Sequence, residues 1–169
     1  MGHRVFRYST ASPRGWSALP LHPLPQTWLP QPNSVFLHFK FPLMKQIIHT
    51  ANAPQPIGPY NQATQFGNLL FVSGQIASDP ATGQVIDGDI SAHTKRVMQN
   101  LEGILTEAGY TFEHVLKATI FLTDMNDFAA VNAVYGSYFN EKTAPARETV
   151  QVAGLPKGVP VEISVIAAK

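Results

Sequence analysis

A chain of 169 residues, 44% of them apolar, has the material for one buried core, and its lack of cysteine excludes disulfides, thiolate metal sites and a cysteine nucleophile. The net charge of +1 hides an imbalance: residues 1–43 carry Arg4, Arg7, Arg14 and Lys40 and no acid, whereas the rest sets eight Lys and Arg against eleven Asp and Glu. A folded part with a net charge of −3 lacks the electrostatic footprint of a nucleic-acid binder.

Seven of the fourteen prolines fall in residues 1–43, in runs such as Leu19-Pro20-Leu21-His22-Pro23-Leu24-Pro25 that no helix or central strand tolerates. Met1 to Leu43 is therefore expected to be a disordered basic extension, with the folded domain running from Met44 to Lys169. A mis-assigned start, an organelle transit peptide and a functional tail all account for it; the Arg and Ser without acids suit a transit peptide, while the prolines interrupt any amphipathic helix. No apolar stretch reaches the ~20 residues of a membrane span, and there is no clean signal-peptide core. The expected location is the cytoplasm, or a mitochondrion or plastid if the extension is a transit peptide.

From Met44 the pattern turns regular. Gln46-Ile47-Ile48-His49 reads as a short strand, followed by the Pro-rich connection Ala53 to Pro59. Tyr60 to Phe66, the turn Gly67-Asn68 and the β-rich run Leu69 to Gln75 read as a hairpin. Asp79 to Gly83 is a loop. Between Asp89 and Ala108, Val97, Leu101, Ile104, Leu105 and Ala108 recur at helical spacing, and Gly109 supplies a stop. Val115 to Leu122 is apolar on both alternating faces and predicts a strand covered on both sides. A second helix is expected from about Asn126 to Phe139, with Phe128, Val131, Val134, Tyr135 and Tyr138 as its stripe. Glu148 to Ala153 and Val161 to Ala168 are the last strands. The order β-β-β, helix, β, helix, β-β, with hairpin-like pairs at the ends, favours an α/β (α+β) fold with a single mixed sheet and both helices on one face. The other face would still carry apolar side chains, which predicts burial against further copies of the chain.

The common catalytic signatures are absent, including the Gly-rich dinucleotide loop, the Walker loop and the His-Glu-x-x-His zinc pattern. His49, His93 and His114 have no ligand-like spacing, so no metal is expected. What remains lies near the C-terminus. Pro145-Ala146-Arg147 leads into a strand, and Val161-Glu162-Ile163 places a carboxylate in an apolar run, where a charge needs a partner. Either Arg147 and Glu162 pair with each other or across an interface, or Arg147 grips a substrate carboxylate through its planar fork. Arg96, beside Lys95 on the first helix, reads as part of a solvated face. Gly58-Pro59-Tyr60 reads as turn punctuation before a core aromatic, or as part of a site.

Four ordered blocks, Ile57-Gly58-Pro59-Tyr60-Asn61-Gln62-Ala63, Phe71-Val72-Ser73-Gly74-Gln75-Ile76, Pro145-Ala146-Arg147, and Leu155-Pro156-Lys157-Gly158 through Val161-Glu162-Ile163, resemble the RidA/YjgF family of imine deaminases over nearly all of Met44 to Lys169. The resemblance implies a chorismate-mutase-like fold, a homotrimer with active sites in the clefts between subunits, and no cofactor. It implies hydrolysis of 2-iminobutanoate and 2-iminopropanoate to 2-keto acids and ammonia, or, as the alternative, a non-catalytic small-molecule-binding role. On the same basis Arg147 matches the carboxylate-binding arginine and Glu162 the glutamate that holds the attacking water. Tyr60 matches the cleft tyrosine, and Gly74 and Thr149 match positions whose backbone contacts ligand. Glu148 stands where the family usually has Ser or Ala, and Asn61 where Ser is commonest. Strand alternation predicts that Glu148 points away from the face of Arg147 and Thr149; if it reached Arg147 it would compete with substrate. A ribonuclease or translation-inhibitor activity, ascribed to some relatives, is disfavoured by the charge of the domain. Chorismate mutase activity is disfavoured too, since a dicarboxylate substrate calls for more than one well-placed arginine.

Overall fold

The computed structural model describes residues 44–169; the expectations for Met1 to Leu43 lie outside the described residues. Six strands, β1 (Gln46–Ile48), β2 (Ala63–Phe66), β3 (Leu69–Gln75), β4 (Val115–Leu122), β5 (Ala146–Gln151) and β6 (Val161–Ala168), form one sheet in the order β1-β2-β3-β6-β4-β5. Only the β4–β5 pair is parallel. The hairpin expected around Gly67-Asn68 is present, with Phe66 opposite Leu69 and Gly67 at φ 59°.

The first helix, α1 (Ile90–Glu107), starts and stops where local chemistry demands. Asp89 caps it by accepting from the Ala92 N–H at 2.8 Å. Gly109 at φ 75° ends it: the Tyr110 N–H reaches back to the Leu105 carbonyl and the Gly109 N–H to that of Thr106, which satisfies two orphan acceptors. The second helix, α2 (Phe128–Gly136), is shorter than expected. Met125–Asp127 forms a tight 3-10 turn instead, and beyond Gly136 the chain continues in i→i+3 bonds through Phe139.

Both helices cover one face of the sheet. Leu70 and Val72 of β3, Ile163 and Val165 of β6, and Ala118, Ile120 and Leu122 of β4 pack with Val97, Leu101 and Ile104 of α1 and Val131 and Tyr135 of α2 in one core. Each of the large side chains contributes about 1.5–3 kcal/mol by leaving water. Among the described residues nothing covers the other face, so β4, expected to be covered on both sides, is covered by them on one: Ala118, Ile120 and Leu122 are inside while Leu116 is 55% exposed.

The last two strands do not pair with each other. β6 inserts between β3 and β4, and β5 becomes the edge beyond β4. The sequences explain the swap. β6 buries every second residue from Val161 to Ala167, as a central strand must, whereas Arg147, Glu148, Thr149 and Gln151 make β5 polar enough to tolerate an edge. With α2 as the crossover, β5 returns parallel to β4.

Candidate functional site

Glu162 lies on the open face. In register, Glu162 of β6 stands opposite Phe121 of β4, which stands opposite Val150 of β5, and this row alternates with the buried row of Ile163, Ile120 and Thr149. The β3–β6 ladder slips between Val72 and Gln75, so three steps on β3 match two on β6, with the extra residue within Ser73-Gly74. The Glu162 side chain lies against that bulge. A methyl group on Gly74 would overlap Glu162 Oε1 and sit 2.7 Å from its Cδ, so glycine there is what lets the carboxylate rest on the backbone. Burial raises the pKa of Glu162 above the ordinary carboxylate range.

The carboxylate faces a cleft of ≈ 490 Å³ whose walls include Ile57, Tyr60, Ser73, Gly74, Pro156 and Lys157. Gln62 builds one side of it. Its buried amide accepts from the Thr50 N–H at 2.7 Å and donates to the carbonyls of Thr50, Ala53 and Pro54, each at 3.0 Å, which folds the Pro-rich connection towards Ile57 and Tyr60. Ser73 Oγ donates to the Asn61 carbonyl at 2.7 Å and ties the same connection to the bulge. At the rim, Lys157 adopts φ 56°, unusual for a residue with a Cβ, and its Nζ donates to the Gly83 carbonyl at 2.7 Å.

Arg147 is elsewhere. Its register partner on β4 is Ala118, opposite Val165 of β6 and then Val72 of β3, all on the helix-covered face. From the exposed edge strand the guanidinium turns to α2, donating to Asn132 Oδ1 at 2.7 Å and lying 5.0 Å from the ring centre of Tyr135 and 5.8 Å from that of Phe128. A groove of ≈ 600 Å³ runs beside it, lined by Asn132, Tyr135, Phe139, Glu141, Pro145 and Arg147 among others. Thr149 shares the side of Arg147, and its Oγ1 is buried with no hydrogen-bond partner.

Within one chain, therefore, Tyr60, Gly74 and Glu162 share a cleft, while Arg147 and Thr149 lie across the sheet from it. The intrachain Arg147–Glu162 pair, one of the two pairings expected, does not form, because residues of opposite strand parity point to opposite faces. Glu148 points away from Arg147 as alternation requires: it pairs with Lys117 and accepts from Thr119 Oγ1 at 2.5 Å. Its pKa is lowered, first by the Lys117 hydrogen bond and then by that of Thr119. Arg96 departs from the expected solvated face, since it is half-buried with its Nε out of water and without a partner.

Sequence reading missed Asn132. The signal was available, because Phe128, Asn132 and Tyr135 follow i, i+4, i+7 and so share one helix face, and a polar residue interrupting an aromatic stripe marks a contact to something polar. Lys157 and the Gln62 staple were likewise visible only as letters of a motif.

The family model described as Endoribonuclease L-PSP matches residues 50–169. The chain belongs to the RidA/YjgF/L-PSP family, also called RutC. A RutC family protein of Pyrococcus horikoshii is 52% identical over 126 residues, 75% of this chain and 99% of its relative. The goat (Capra hircus) protein named 2-iminobutanoate/2-iminopropanoate deaminase is 47% identical over 127 residues, 75% of this chain and 92% of the relative. Among solved structures, Escherichia coli TdcF with bound serine superposes with a TM-score of 0.69 at 43% identity, covering 73% of this chain and 98% of that one. Tyr60, Gly74, Arg147, Thr149 and Glu162 all fall within the stretch matched to the RidA family.

Proposed function

We propose that this RidA-family chain hydrolyses 2-iminobutanoate and 2-iminopropanoate to the 2-keto acids and ammonia, in sites completed by a second copy of the chain in a homotrimer. The observation that carries the reading is the Glu162 carboxylate laid over Gly74 in a cleft of small-metabolite size, with its pKa raised by burial. The goat relative's name supports the reaction.

The chemistry asks little of the protein. A protonated imine is electrophilic at C2, so Glu162 has only to hold a water and take one of its protons as the oxygen bonds to C2. The resulting carbinolamine breaks its C–N bond when the proton returns to nitrogen, and ammonia leaves as the carbonyl forms. Arg147 of the second copy grips the substrate carboxylate, which holds C2 near the water; Tyr60 walls the cleft, and the backbone at Gly74 and Thr149 flanks the ligand. No cofactor enters these steps.

The test generates 2-iminobutanoate in situ from threonine with a dehydratase and traps residual imine with semicarbazide. Wild type is expected to suppress semicarbazone formation, and Arg147→Ala to lose that effect with its assembly intact; a correctly assembled wild type without effect overturns the deaminase reading. The second reading is a non-catalytic small-molecule binder, favoured by the serine bound to TdcF. It predicts saturable binding of a small amino or keto acid without turnover. Residues 44–169 carry a net charge of −3, which argues against an RNA-cleaving role, and salt-dependent RNA binding would revive that role. The extension Met1 to Leu43 is proposed to be dispensable for the reaction, so protein starting at Met44 should match the full chain in the same assay.

A further inference from the structure

An arginine on an exposed edge strand ordinarily samples many rotamers, and ordering it costs side-chain entropy. Arg147 is held instead. One of its nitrogens donates to Asn132 Oδ1 at 2.7 Å, and its guanidinium carbon lies over the rings of Tyr135 and Phe128, all three anchors being on one face of α2. None of the three carries a negative charge. Burial pushes the Tyr135 hydroxyl up to about 12, so it stays neutral where the protein works, and the one ion pair among the described residues is Lys117–Glu148 on the opposite face. Glu141 lines the same groove without forming an ion pair with Arg147.

We infer that Asn132 is a positioning residue for Arg147: its neutral amide oxygen fixes the direction of the guanidinium while leaving the full positive charge for the carboxylate of the ligand. The inference rests on the proposed role of Arg147 and deepens it. An amide and a carboxylate at this position have nearly the same shape and accept the same hydrogen bond, but they differ in what remains of the charge. Asn132 is exposed on α2, so its replacement leaves the core untouched.

The experiment compares wild type with Asn132→Asp and Asn132→Leu by steady-state turnover of 2-iminobutanoate and, separately, by calorimetric binding of the product 2-oxobutanoate. Thermal melting and sedimentation establish that fold and assembly are kept. Both variants should raise KM and the 2-oxobutanoate Kd in parallel with little change in kcat, because a grip on a non-reacting carboxylate is made equally in the ground and transition states. Loss of one charge-assisted contact corresponds to a rise of about ten- to a hundredfold. Asn132→Asp should be the worse of the two, with a defect that shrinks as added salt screens its carboxylate. Asn132→Asp binding 2-oxobutanoate as tightly as wild type would overturn the inference, as would a fall in kcat alone. Wild type that binds 2-oxobutanoate without turning over imine, while Asn132→Asp binds it weakly, overturns the deaminase reading and upholds the role of Asn132. Wild type that neither binds 2-oxobutanoate nor turns over imine overturns both.

Discussion

Gly74 and Glu162 form a unit in which one residue supplies the carboxylate and the other the space for it. Because the first atoms an added methyl meets are the far end of a flexible side chain, Gly74→Ala should fold with near wild-type stability and swing the carboxylate away. Imine turnover should then fall about a hundredfold or more, the scale of losing a positioned base, while the melting temperature hardly moves. A variant that keeps full activity would separate Glu162 from the chemistry. Burial also fixes the sign of the pH dependence. With the Glu162 pKa raised, the folded state holds a proton that the unfolded chain gives up, so ionising this group works against folding as pH rises from the ordinary carboxylate pKa through the raised one. Glu162→Gln should therefore be more stable than wild type at neutral pH, with the difference closing in acid, as chemical denaturation across pH would show. The activity limb follows the same shift: kcat/KM should climb with pH as Glu162 deprotonates, later than an exposed carboxylate would. Arg147→Lys should raise KM about tenfold, since an ammonium replaces the planar fork seated on Asn132 and Tyr135.

At the level of elements, α1 comes close to the loop before β2 at Gly103, where a Cβ would lie 2.7 Å from the Asn52 backbone carbonyl oxygen. Backbone cannot step aside as a carboxylate can. Gly103→Ala should destabilise the fold by about 1–3 kcal/mol through overpacking, against the roughly 1 kcal/mol that helix propensity alone would add, so a urea midpoint at or above that of wild type would contradict the packing account. The same local-versus-remote distinction explains what could be read from the chain. α1 was legible because Asp89, the apolar period and Gly109 all act within a few residues, and β4 and β6 because alternation is local too. Strand order was not, since inserting β6 between β3 and β4 is decided by which strand has the most apolar side chains to bury, a comparison across the whole chain. The site divides in the same way. A carboxylate at Glu162 inside an apolar run stood out in one dimension, whereas the face to which Arg147 points depends on pairing with Ala118, 29 residues away.

For the whole molecule, the open face poses a problem that the described residues do not solve. Phe71 is 44% exposed and Leu69 37%, both on the alternation of Ile166 and Ala168, with Val150 40% exposed at the far edge. Side chains of this size in one sheet face predict self-association. Phe71→Glu should give monomers by sedimentation, and if the proposed site spans two copies it should also be inactive although Phe71 lines no cleft with Glu162. The decisive test uses the placement of Arg147 and Glu162 on opposite faces of one sheet. If each site takes Arg147 from one copy and Glu162 from another, Arg147→Ala and Glu162→Ala chains are each inactive alone, yet unfolding and refolding them together must recreate some intact sites. With equal amounts mixed at random, a site is whole only when its Arg147 comes from the Glu162→Ala chain and its Glu162 from the Arg147→Ala chain, so about a quarter of wild-type activity should return in a closed ring. Recovery near that level means that neither residue works with the other in its own chain. No recovery from a mixture that has demonstrably exchanged subunits would mean that both act within one chain, and the sheet would then have to bend or Arg147 leave Asn132 for the site to form.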